Sequence, residues 1–345
     1  IFPFFASTFF VVQIGIQSLF LGIVALSLIF LAGYGGMVSM AQVALYGAAG
    51  YIYAVLVVTY NQPWYVGAIA GILGTTLIAA LFALIAVRTQ GIYFLMITLA
   101  QAMVVYFYAN QDRIFLGGHT GINGAHPPTI GPLVLADPTT FYYLALLVAA
   151  LTYLGLRYLI HTPFGLAFQG TRDNAQRMQS LGYAVTAHRI AAFTLAGFIA
   201  SLGGILGIWY NGAISPGSID LARTTNVLVI AVLGGLTYFE GAFVGAIFFT
   251  LITNFASSFT DRFNTVIGLA FLLVALFFPD GLIGLSQKTI QLVARVLPWR
   301  GKPTASPLTP AQTIHTSGPP VSGNVAGDKA LMSVSVNPEE KEKES

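Results

Sequence analysis

Long apolar runs separated by short polar stretches set the rhythm of this chain. About 20 predominantly apolar residues make one helical crossing of a hydrocarbon core. On that measure the pattern predicts spans near 9–32, 37–59, 64–87, 91–109, 139–160, 189–210, 224–238, 241–259 and 263–280. Glycine is dense in 37–50 and 224–238, which are expected as half-spans. The fold class is therefore an all-α polytopic membrane protein with about 8–10 transmembrane helices. Residues 1–300 form the membrane domain, and 301–345 form a tail of Pro, Ser, Thr and Gly ending in PEEKEKES. That tail buries too little apolar surface to fold and is expected to be disordered on the cytoplasmic side.

One polar stretch lies between spans, HTPFGLAFQGTRDNAQRMQSLGYAVTAHR at 161–189. Thr162 is placed as an N-cap, with Pro163 at the first helical position, where a missing N–H costs nothing. A single amphipathic helix is expected from Gly165 to Leu181, with Leu166, Gln169 or Gly170, Asp173, Arg177 and Leu181 on one side and Gly182 closing it. Two readings remain open: a docking element, or an ordinary surface helix joining two spans. Arg172, Arg177 and Arg189 outnumber Asp173, which marks a cytoplasmic loop. Alternation then puts Arg88 and the basic residues after Asp280 on the same side, and leaves Arg113, Arg223 and Arg262 opposite. It also puts Ile1 outside, as expected of a chain that has lost an N-terminal piece.

Within the spans, Gly67 with Gly71, Gly203 with Gly207, and Gly241 with Gly245 stand four apart, which lets helix backbones approach closely in lipid. Gly33, Gly35, Gly36, Ser39, Gln42, Gly47 and Gly50 mark a helix break. Broken backbone at membrane depth survives only inside protein or beside water, so this stretch is read either as packing or as the lining of a pathway. The loop 110–138, rich in Gly and Pro, is either a lid or a plain connection.

Composition sharpens the picture by exclusion. Charged residues are 8% of the chain, too few to cover a soluble protein of 345 residues. Cysteine is absent, and the five histidines lack ligand spacing, so no metal site is expected. A net charge of +3 reads as orientation rather than nucleic-acid binding. Apart from Arg157 at a span end and Glu240 in a short turn, no ionisable group is expected in the hydrocarbon core, whereas proton-driven carriers need such groups. No GxxxxGK[ST] loop holds nucleotide phosphates. No nucleophile and base are paired, so an enzyme is not expected. If the chain moves a solute uphill, the energy must come from a partner, and 161–189 is the evident receiver.

Six blocks, in order, carry a resemblance: GYGGMVSMAQVALYGAAGYIYAVL (33–56), RTQGIYFLMITLAQ (88–101), GGHTGING (117–124), TPFGLAFQGTRDNAQRMQSLGY (162–183), ISPGSIDLARTTNVLVIAVLGGLTYFEGAFVGA (214–246) and FFPDGLIGL (277–285). Together they resemble the membrane permeases of branched-chain amino-acid ABC transporters, the LivM type. Two places depart from the pattern. Ser39, Met40, Ala41, Gln42 and Val43 stand where Ser-Leu-Gly-His-Ala is common, and Ala175 stands where an acid is usual.

The resemblance implies an ATP-driven importer in a bacterial inner membrane. It would comprise two permease subunits, two cytosolic ATPases that bind the ATP, and a periplasmic solute-binding protein. This chain would itself hold no cofactor. It implies that Gly165, Arg172, Asp173, Arg177, Leu181 and Gly182 shape a coupling helix for an ATPase. Ser39, Gln42, Thr225 and Asn226 are the candidates for lining a path, each also readable as a packing group. The expected solute is a branched-chain or other small hydrophobic amino acid, with urea or a short amide as the alternative. A stand-alone channel or secondary carrier, or a membrane scaffold, are the readings from other classes.

Overall fold

The computed structural model describes residues 11–125, 127–130, 133, 134, 137–259, 268, 281 and 283. The span expected at 263–280 and the tail at 301–345 lie outside the described residues. Helix α1 (Gln17–Ile29) is extended by π-helical turns at Val11–Ile16 and Phe30–Tyr34. Helix α2 (Gln42–Ala54) runs on through a π-helical turn at Val55–Thr59. Then come α3 (Trp64–Ala86), α4 (Ile92–Gln111) and α5 (Pro138–Ile160). Two short helices follow, α6 (Pro163–Asp173) and α7 (Ala175–Ser180). The last described helices are α8 (Val185–Asn211), α9 (Leu221–Gly234) and α10 (Glu240–Phe259).

Among the described residues, seven helices are long and apolar enough to cross a membrane, and α10 is a further apolar helix. The protein is a multi-pass helical membrane protein. In the first span, Ile14–Tyr34, 83% of an apolar 18-residue stretch is buried, whereas in Pro138–Ile160 the share is 22%, so α1 is the axis and α5 lies at the rim. Helix α1 packs against α8, α9 and α10, while α2 packs against α3 and α8. Ile23, Leu26, Ile29, Phe30 and Leu31 of the α1 span are fully enclosed.

Small residues permit this density, because lipid supplies no hydrophobic drive between helices and close packing must serve instead. A Cβ added to Gly245 would stand 2.2 Å from the Ile230 carbonyl oxygen, and one on Gly204 2.3 Å from that of Tyr46. On α3, outward Ile69, Leu73, Leu77, Leu81 and Ile85 form an apolar stripe suited to lipid.

Caps fix where several helices begin. The side chains of Asp137, Thr162, Asn174 and Asp220 accept from the N–H three residues on, at 3.3, 3.4, 2.9 and 2.7 Å. One of these caps corrects an expectation. The single helix expected from Gly165 to Leu181 is broken at Asn174, which takes an extended backbone (φ −157°, ψ 97°) and caps α7 with its own side chain. A short amide that competes for backbone donors ends one helix and starts another. Gly182 does follow the second helix in the left-handed region, at φ +86°.

The break after α1 is real and satisfied. Gly36 has φ +66°, and the N–H groups of Gly36 and Met37 reach back to the carbonyls of Ala32 and Leu31 at 3.2 and 3.0 Å. The Met40 N–H donates to Thr98 Oγ1 at 3.1 Å, and that of Ala41 to Ser39 Oγ at 3.2 Å. Part of the 110–138 loop is pinned rather than free. The strand β1 (Ile122–Asn123) pairs antiparallel with β4 (Ala213–Ile214), and the N–H groups of Gly124 and Ala125 both donate to Gly212 O at 3.0 Å. The two-residue strands β2 (Thr129–Ile130) and β3 (Leu133–Val134) form a separate pair.

Candidate functional site

Helix ends divide the bundle into two candidate regions. At one end lie the ends of α1, α5 and α9, the starts of α2 and α10, and the α6–α7 arm. Arm residues Gly165, Ala167, Phe168 and Thr171 face inward and are buried. Gly165 makes the tight turn from α5, since a Cβ there would lie 2.3 Å from the Leu159 carbonyl oxygen. Phe168 stacks at a tilt on Phe30, with centroids 5.3 Å apart, and its ring fills the space a Cβ on Gly35 would need. Arg172 lays its stem on Gly36 and donates from Nη1 to the Gly33 carbonyl oxygen. Gly33 in turn abuts the Leu236 carbonyl in the α9–α10 turn, where a Cβ would stand 2.0 Å from that oxygen.

The arm is thus joined through Gly33–Gly36 to two breaks in the membrane helices. Its other face is bare: Leu166 and Leu181 are 60% and 67% exposed, and Asp173, Arg177 and Gly182 are exposed too. The six residues expected to couple do not share one face. Gly165 and Arg172 hold the arm to the bundle, whereas Asp173, Arg177 and Leu181 look away from it.

Glu240 is the first residue of α10 rather than part of a turn. The Tyr153 hydroxyl donates to Glu240 Oε1, and Arg157 Nη1 donates to Tyr153 Oη at 3.0 Å and stands 4.0 Å from the carboxylate. This group ties rim helix α5 to the start of α10. Arg157 and Glu240 stood out in the sequence as isolated charges, but their partnership crosses 83 positions of chain.

At the opposite end a cavity of about 420 Å³ opens between α1, α2, α8, α9 and α10. Its polar wall holds Gln17, Tyr46, Asn211, Asp220, Arg223, Asn226 and Thr253, and its apolar wall includes Phe20, Val24, Ile230 and Phe249. Of the four residues singled out as pathway candidates, Asn226 lines this space. Thr225 is exposed on another side of α9 and donates to its own helix at Leu221 O, 2.9 Å. Ser39 and Gln42 are buried, 2% and 1% exposed, where Ser27 Oγ donates to Gln42 Oε1 at 3.0 Å; neither lines the cavity, although Val43 beside Gln42 does. The structure does not bring Ser39 and Gln42 together with Asn226.

Two further charges lie toward helix ends, Arg223 exposed at the start of α9 and Arg189 near the start of α8. Arg223 sits in the first turn of α9 and lines the cavity. Arg189 lies in α8 with 9% exposure and its Nε unbonded among the described residues. Arg223 was read only as a charge on the side opposite the arm, and a cap signal in DLAR, Asp before a helical run, was the sign that this stretch opens a helix. A second space of about 490 Å³, between α2, α3 and α4, is walled by apolar groups such as Ile52, Leu56, Phe82 and Val105, and offers little to a polar solute. Among the described residues no His, Asp and Glu cluster could hold a metal ion.

A family model described as branched-chain amino acid transport system / permease component matches residues 10–278. The chain belongs to this permease family. It is 25% identical over 228 residues to the high-affinity branched-chain amino acid transport system permease protein LivM of Salmonella typhimurium, covering 59% of this chain and 54% of that one. It is 23% identical to the probable branched-chain amino acid transport permease protein LivM of Methanocaldococcus jannaschii, covering 62% and 66%. A shorter match, 34% identical over 118 residues, is to the autoinducer 2 import system permease protein LsrC of Escherichia coli, covering 34% and 33%. The chain spans about half the length of the first of these curated relatives. No solved structure matches it. The relatives are transport permease components, not enzymes.

Proposed function

We propose that this permease is the membrane subunit of an ATP-driven importer for branched-chain or other small hydrophobic amino acids. It pairs with a second permease subunit in a bacterial inner membrane. Two cytosolic ATPases, which bind the ATP, grip the arm, and a periplasmic solute-binding protein delivers the solute from the other side. In this reading residues 1–300 are the permease domain, and 301–345 are a cytoplasmic tail.

The observation that carries the proposal is the attachment of the arm. Phe168 and Arg172 clasp Gly33–Gly36, so a push on α6–α7 reaches the ends of α1 and α9 without slack. Packed elements of this kind switch as rigid bodies rather than deform. Asp173, Arg177 and Leu181 supply the outward contact, Gly182 ends α7, and Gly165 and Arg172 transmit the motion. Asn226 faces the solute. Ser39 and Gln42 brace the α1–α2 break beside the path, and Thr225 supports the turn that presents Asn226.

The sequence match to LsrC favours a second reading, a permease of the same family for a different small polar solute. Urea or a short amide belongs to that reading too. A stand-alone channel would need no arm bound into the bundle.

The test replaces exposed arm residues, whose loss leaves the interior intact. Arg177→Glu with Leu181→Asp should lower recovery of the ATPases in a pull-down by about tenfold, a loss of about 1.4 kcal/mol of binding. Undiminished recovery overturns the coupling assignment. Because the chain has no cysteine, a single Gln179→Cys also reports sidedness: a membrane-impermeant maleimide should label it only after cells are opened.

A further inference from the structure

The function proposed above names Asn226 as facing the solute and no selective contact beyond it. We infer that the permease carries a selectivity site of its own, in which Arg223 and Asp220 hold the carboxylate and ammonium of a zwitterion at the mouth of the α1–α9–α10 cavity. The inference rests on the transport reading, but the residues that carry it lie at the other end of the bundle from the arm.

Arg223, Asn226 and Ile230 follow one another at helical spacing along α9 and all line the cavity. The wall therefore grades from a charged mouth, through an amide, to an apolar floor completed by Phe20, Val24 and Phe249. The two charges at the mouth are not spent on each other. Among the described residues the ion pair within 4.0 Å is Arg157 with Glu240, at the opposite end. Asp220 uses Oδ1 to cap the Arg223 N–H at 2.7 Å, and among the described residues this leaves Oδ2 for a ligand.

A guanidinium offers a carboxylate two parallel N–H donors, and a carboxylate oxygen suits an ammonium. An α-amino acid presents that pair on one carbon and points its side chain away, here toward the apolar floor. The cavity, at about 420 Å³, falls in the lower half of the size range of small-molecule sites. Arg223 is exposed and Asp220 half-buried, so water satisfies both charges when a neutral sugar, amide or urea is present, and a zwitterion is favoured by the two charge-assisted contacts that only it can add.

The test uses the whole transporter in proteoliposomes, with radiolabelled leucine and acetamide as probes. Asp220→Asn keeps an equally good N-cap and removes the charge. Arg223→Gln keeps a helix-compatible side chain. Each should reduce leucine uptake by about tenfold or more, the effect of losing one charge-matched contact. Arg88→Gln, an equal loss of charge away from the cavity, is the control. Leucine uptake within about twofold of the parent in both variants overturns the inference. So does a parent that carries acetamide and not leucine, and ATP dependence of that flux would still uphold the transport reading.

A second readout does not depend on assembly with the ATPases. A single Ala222→Cys in the cavity wall should react with maleimide more slowly in millimolar leucine and unchanged in acetamide. Equal protection by both, or by neither, overturns the zwitterion assignment.

Discussion

The two ends of the bundle spend their polar groups in opposite ways. At the arm end Arg172 is matched with the Gly33 carbonyl, and Tyr153 and Arg157 with Glu240, while the Nε of Arg189, near the start of α8, is left unbonded among the described residues. At the cavity end, Asp220, Arg223 and Asn226 edge an open space. Under the proposed function the arm end transmits force, which closed contacts serve because a loose joint absorbs motion. A region that must take up and release a solute needs donors and acceptors held ready but not satisfied, since conduction fails if binding is too tight.

That contrast can be broken most severely at Gly33. Gly33→Val puts carbon 2.0 Å from the Leu236 oxygen, and overpacking of this kind costs about 1–3 kcal/mol or more. The expected outcome is loss of monodisperse protein in detergent, read by size-exclusion chromatography, while Ala222→Leu in the cavity wall folds normally.

Arg172→Gln is gentler and more telling. A hydrogen bond to a charged group contributes about 1.5–3 kcal/mol. Its loss should lower the thermal midpoint and uncouple ATP hydrolysis from uptake, although the ATPases still bind the outward face of the arm. Normal coupling in this variant would mean that force takes another route.

The smallest effect is expected from Tyr153→Phe, which removes the hydroxyl between Arg157 and Glu240. Both charged side chains are more than half exposed, and solvent screening holds such contacts to about 0.5 kcal/mol. A double-mutant cycle with Glu240→Gln in thermal unfolding measures the coupling. A value near zero would make this group a surface contact rather than a brace.

Much of this arrangement was legible beforehand. The spans, the Thr162–Pro163 start of the arm, the Gly182 stop and the break near Gly33–Gly36 each have a local cause in capping, proline geometry or a positive φ. The split of the arm at Asn174 was missed because the helical spacing from Leu166 through Asp173 and Arg177 to Leu181 continues across it, and nothing in periodicity shows a side chain choosing to cap. The partnership of Tyr153, Arg157 and Glu240 was missed for a different reason: it joins elements distant in sequence.

The sequence by itself determined that this is a membrane bundle with a capped polar arm. In lipid each helix must satisfy its own backbone, so length and apolarity leave one choice. Which polar residues meet was decided only by the tertiary structure. Thr225 and Asn226 are neighbours on one helix, yet one donates to its own turn and the other faces the cavity. Ser39 and Gln42 sit in the glycine-rich break that looked most like a path, yet are sealed into packing while their neighbour Val43 lines the cavity. Rotation of each helix about its axis sets those facings, and that rotation comes from the packing of all the others.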